Sequence, residues 1–178
     1  MEYELISTVI NMSNNKEWYL AVHEWNIIGF YDDEECESEC VCGKKGIRYL
    51  YKIVNRYNKN ILYPIGSSCI RKFAREDMNE DISLYEQLLR LTSEYSRTGK
   101  VLLDSEFFSR RLINYFYDKG CFGNNDNAEK NRDFLINMFN KRNQPTENQE
   151  KYIWSLLNKN IKPYLDKVIK ENKVRKNN

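Results

Sequence analysis

Residues 40–73 read CVCGKKGIRYLYKIVNRYNKNILYPIGSSCIRKF. Cys40 and Cys42 stand one residue apart and precede Gly43, whose missing Cβ admits the positive φ of a tight turn. Ile47 to Val54 then alternates and is rich in β-branched and aromatic side chains, as a half-buried strand requires. Ile61 to Ile65 is its expected partner, with Asn55 to Asn60 as the turn. Pro64 cannot donate to a ladder and so belongs at an edge or a strand end. After Gly66, Ser67 and Ser68 can cap a helix that begins near Cys69 and runs towards Arg75. The chain thus brings Cys69 back to Cys40 and Cys42. A turn supplies two sulfurs and a helix N-terminus a third, the plan of a treble-clef-like zinc site. A helix N-terminus also favours the thiolate, the form that binds metal.

Cys36, four residues before Cys40, completes the expected ligand set of Cys36, Cys40, Cys42 and Cys69; the single histidine, His23, is the alternative fourth ligand. Four thiolates around Zn2+ make a closed tetrahedral site, which is structural. The pattern departs from the usual knuckle, which is Cys-x-x-Cys, and the helix offers one cysteine instead of two. Cys121 stands alone and reads as a buried apolar residue. Five cysteines with no basic-then-apolar leader argue against a disulfide framework. No apolar run approaches the ~20 residues of a membrane span. A cytoplasmic protein that does not enter the membrane is expected.

The charge is unevenly distributed. Asp32, Asp33, Glu34, Glu35, Glu37 and Glu39 place six carboxylates in eight residues. The following 36 residues, Cys40 to Arg75, hold no acid and nine bases: Lys44, Lys45, Arg48, Lys52, Arg56, Lys59, Arg71, Lys72 and Arg75. The formal total of +2 hides this contrast. The tail from Lys159 is also basic.

Around this centre the chain of 178 residues has room for one ordinary domain or two small ones. Trp18, Ala21, Val22 and Trp25 repeat at helical spacing and predict a helix from Lys16 to Asn26, followed by a short strand through Ile27, Ile28, Phe30 and Tyr31. The second half reads as about five helices. Ser83-Leu-Tyr-Glu86 and Thr146-Glu-Asn-Gln149 both have the form of a capping box. Asp104 or Ser105 should start a helix carrying Phe108, Leu112 and Phe116, and Pro163 suits the first turn of the last one. The expected fold class is α+β: a zinc module with a β-hairpin over residues 1–78 and a helical domain over 79–178, packed as one compact unit.

The run Cys40-Val-Cys-Gly43, Ile47-Arg-Tyr with Asn55, and Pro64-Ile-Gly-Ser-Ser-Cys-Ile-x-x-Phe73 resembles a zinc-binding segment shared by small proteins of phages and prophages of Gram-positive bacteria. Glu17-Trp18 and Pro145-Thr-x-x-Gln149 are similar to the same set. Some zinc-containing proteins of this kind are type II anti-CRISPR inhibitors. The resemblance therefore implies a protein that binds a host Cas effector nuclease and blocks its loading onto target DNA. It carries over no functional residue beyond the cysteines.

Three readings follow. Catalysis is disfavoured, because no second acid or base pairs with the acidic run, His23 stands alone in a Trp-rich segment, and the seven glycines are scattered. Direct nucleic-acid binding would use the basic segment 44–75, with Tyr49, Tyr51, Tyr57 and Tyr63 stacking on bases. The favoured reading is a monomeric protein-binding inhibitor, in which the acidic residues from Asp32 to Glu39 steer the molecule to a basic partner surface.

Overall fold

The computed structural model describes residues 2–176, and side chains from residue 3 to residue 173. The last part of the basic tail, the Arg175 and Lys176 side chains, lies outside the described ones. The chain is α+β and divides into two compact units, Met1–Glu86 and Gln87–Asn178.

The first unit begins with α1 (Glu2–Asn11) and α2 (Trp18–Ala21), continued by a 3-10 turn over Val22–Glu24. Its strands are β1 (Trp25–Asp32), β2 (Ser38–Glu39), β3 (Lys45–Ile47), β4 (Tyr49–Asn55) and β5 (Ile61–Gly66). β1, β4 and β5 form an antiparallel sheet in the order β1-β4-β5, and β2 pairs with β3 in a separate ribbon. Pro64 lies on the edge strand β5, as its missing N–H requires. The short helix α3 (Ser67–Ile70) and a 3-10 turn over Arg71–Phe73 follow. Leu5 and Val9 of α1 join Trp25, Tyr51, Ile53, Ile65, Ile70 and Ile82 in the core. Phe30 stacks on Tyr85 with ring centroids 4.1 Å apart.

Three expectations change here. The helix predicted over Lys16 to Asn26 stops early, and Trp25 opens β1. Glu24 is the reason: its carboxylate accepts the Asn14 and Asn15 backbone N–H groups and the Asn15 and Asn55 side-chain amides. The strand expected over Ile47 to Val54 is divided at Arg48, because β3 pairs with β2 while β4 pairs with β1 and β5. The helix carrying Cys69 begins at Ser67 and ends by Phe73, where Ala74 takes a left-handed φ of 52°.

Helix α4 (Glu76–Thr98) starts in the first unit and ends in the second. The second unit continues with α5 (Arg110–Asp118), α6 (Asp126–Asn140), α7 (Glu147–Leu156) and α8 (Lys162–Lys176); a π-helical turn over Leu157–Ile161 joins the last two. Leu88, Leu91, Phe108, Leu112, Phe116, Leu135 and Leu165 are buried. Thr146 and Gln149 form the complete capping box expected of them. Ser83 does not start a helix; it lies inside α4 and donates to the Asn79 carbonyl. α5 starts at Arg110, capped by Ser109, while Asp104 accepts N–H groups of the preceding turn.

Candidate metal centre

The turn after β2 places Cys40 and Cys42 on one side of a knuckle. The Cys40 N–H donates to the Lys44 carbonyl at 2.8 Å and the Gly43 N–H to the Cys40 carbonyl at 2.7 Å. Gly43 has φ +84°, a conformation that a side chain would strain. The knuckle is tied to the edge strand by the Val41 N–H, which donates to the Pro64 carbonyl at 3.0 Å. Two residues later β5 ends, and α3 delivers Cys69.

The sulfurs of Cys40, Cys42 and Cys69 lie within 4.8 Å of one another, and all three residues are buried. The Cys42 and Cys69 sulfurs are 3.3 Å apart. A tetrahedral ion with metal–sulfur bonds of about 2.3 Å sets its sulfurs about 3.8 Å apart, so this spacing suits one ion shared by all three. The Gly66 N–H points at the Cys40 sulfur at 3.4 Å, the kind of donor that steadies a metal-bound thiolate. Burial pushes the Cys69 thiol up, and its sulfur neighbours add to this. Burial acts on Cys42 in the same direction, but the Lys44 N–H and the Cys69 and Cys40 thiols outweigh it and lower its pKa. Cys42 is thus easier to deprotonate than Cys69. These three residues could hold a metal ion.

Cys36 is not part of this group. It is exposed, has φ +54°, and precedes β2, which separates it from the knuckle. Its N–H is held by the Asp33 carbonyl, and the Asp33 carboxylate accepts from the Glu37 and Ser38 N–H groups and the Ser38 hydroxyl. His23 is exposed and also lies outside the sulfur group. Cys121 is half-buried, with its thiol raised by burial to about 11.

The acidic run divides into two kinds of residue. Asp32 forms a two-pronged pair with Arg48, at 2.8 and 3.0 Å, and Asp33 is buried beneath the loop that it organises. Glu34, Glu35, Glu37 and Glu39 are exposed, with Lys45 3.9 Å from Glu39. Much of the basic run is engaged within the fold. Arg48 meets Asp32, Arg71 meets Glu86, and Arg75 meets Asp77 and the Trp25 carbonyl. Arg56 donates to the His23 carbonyl, and Lys59 to the Arg56 carbonyl. Of the tyrosines expected to stack on bases, Tyr51 is fully buried, whereas Tyr57 and Tyr63 are exposed.

Residue motifs did not point to Glu4. Its Oε2 lies 3.3 Å from where a Cβ on Gly43 would stand, so helix α1 reaches the knuckle. No spacing rule could have found it, because α1 is far from the cysteines in sequence. Compared with known proteins, the chain matches no family model, no curated protein and no solved structure. Among the described residues, no helix is long and apolar enough to cross a membrane.

Proposed function

We propose that the protein is a zinc-stabilised, protein-binding inhibitor. In this reading Zn2+ joins the knuckle to α3 as a treble-clef-like module. The surface fixed in this way docks on a type II Cas effector nuclease and blocks its loading onto target DNA, as the resemblance of Cys40–Phe73 implies. The observation that carries the reading is the buried trio of Cys40, Cys42 and Cys69. Soft thiolate donors select zinc among the common divalent ions, and a buried, sulfur-rich site favours a structural role over turnover.

The charge of the first unit supports a protein partner. It holds ten Lys and Arg against fifteen Asp and Glu, a formal −5. A net negative charge of this kind complements a basic nucleic-acid channel and steers encounter. Titrating the zinc-loaded protein into the nuclease should abolish DNA loading at stoichiometric amounts. The triple variant Glu34→Lys, Glu35→Lys, Glu37→Lys should weaken the complex at least about tenfold while leaving the melting temperature nearly unchanged. Unaltered binding would remove the loop from the interface, and failure of the wild type to co-elute with the nuclease would overturn the inhibitor reading.

A second reading, direct nucleic-acid contact through segment 44–75, draws on exposed Lys44, Lys45, Tyr57 and Tyr63. It requires a shift of labelled DNA or RNA by the protein alone, with steep salt dependence.

A further inference from the structure

We infer that Glu4 is the fourth metal ligand, completing a three-cysteine, one-carboxylate site with Cys40, Cys42 and Cys69. The inference rests on the metal-binding reading proposed above. Three sulfurs leave one corner of a tetrahedron to fill, and a carboxylate oxygen is an ordinary zinc ligand at about 2.0–2.2 Å. Leu5 and Val9, both fully buried, fix α1 in the core, and this sets Glu4 against the knuckle. The Glu4 Oε2 lies 3.3 Å from the position a Cβ on Gly43 would occupy, and Gly43 adjoins Cys42; like Cys36 and His23, Glu4 stands outside the group whose sulfurs lie within 4.8 Å of one another. The missing side chain at Gly43 therefore admits the carboxylate as well as the turn. Closing the shell takes a rotamer change of an exposed side chain. Of the alternatives, Cys36 precedes β2 in the chain, and His23 is the exposed residue of a 3-10 turn whose Val22 and Glu24 are buried.

The test uses the full-length chain with Zn2+ and with Co2+ as the spectroscopic probe. Wild type should bind one Co2+ with the thiolate-to-cobalt charge-transfer intensity of three sulfurs. Glu4→Gln should lose at least about tenfold in affinity while keeping that intensity. Cys36→Ser should change neither. Glu4→Cys should raise the charge-transfer intensity by about one third, the ratio of four sulfurs to three. Circular dichroism of the metal-free proteins checks that each variant folds alike. Loss of charge-transfer intensity in Cys36→Ser, with Glu4→Gln unaffected, would overturn the assignment of Glu4 and leave the metal site standing. Wild type that binds neither ion would overturn both.

Discussion

The two units of the chain are stabilised by different means. Among the described residues, the buried polar or charged side chains are Ser13, Glu24, Asp33 and Asn55 in the first unit and Thr92 alone in the second. The second unit is built from helices that pack aliphatic and aromatic side chains and close their ends with caps. The first has an apolar core of its own, built on a three-stranded sheet and short helices, and adds hydrogen-bonded carboxylates and a cluster of three buried cysteines. Its asparagines serve this purpose. Asn55 Oδ1 accepts the Tyr57 and Asn58 N–H groups, while the Asn58 and Asn60 amides both donate to the Met12 carbonyl. A turn and an N-terminal segment are thereby tied together through side-chain amides.

If the three cysteines of the first unit hold the proposed metal, removing it should destabilise that unit and spare the second. Chelation, or Cys42→Ser or Cys69→Ser, should cost the first unit most of its stability, because metal affinity contributes directly to folding. Hydrogen exchange should show β4 and β5 losing protection while α6 and α7 keep theirs. Equal loss in both units would break the comparison.

A smaller effect is expected at Glu24. Burial pushes its pKa up, but the N–H groups of Asn55, Asn14 and Asn15 overcome this and hold it at about 2, against an ordinary 4.5. The unfolded chain therefore takes up the proton first as pH falls. The stability Glu24 contributes is complete above about pH 4.5 and is lost as pH drops towards 2. Glu24→Ala should cost about 3 kcal/mol near neutral pH, measured by denaturant unfolding, and should flatten the acid limb of the stability curve.

The smallest effect separates two matching motifs. Thr146→Ala should cost about 1 kcal/mol, the value of a helix cap. Ser83→Ala should be nearly neutral, because Ser83 is exposed inside α4. Thermal unfolding of the two variants side by side checks this.

That pair also shows what could be read in advance. Thr146 follows Pro145, which prevents the preceding residue from continuing a helix, so the cap pattern marks a true start. Ser83 has the same pattern, but Met78 and Ile82 upstream are buried at helical spacing, and the helix had already begun at Glu76. Local patterns were decisive where a breaker isolated them. Cys40, Cys42 and Cys69 were legible for a similar reason: a hairpin with a short turn brings its two ends together. Cys36 was close in sequence, but Asp33 and β2 fix its position, and such contacts leave no mark in spacing. The helix expected through Trp25 was lost to Glu24, whose partners at Asn14, Asn15 and Asn55 flank it from both directions along the chain.

The π-helical turn between α7 and α8 acts as a phase shifter. Each residue along a helix advances the side-chain direction by about 100°. A π turn closes i→i+5 where an α turn closes i→i+4, so Leu157–Ile161 absorbs one extra residue; winding it as regular α-helix with every residue kept would swivel the terminal part by about that angle and take Leu165 and Val168, both buried now, out of alignment with their neighbours. The irregularity is a spacer that keeps two stretches of one rod facing the same way, and a smoother helix would be the poorer fit.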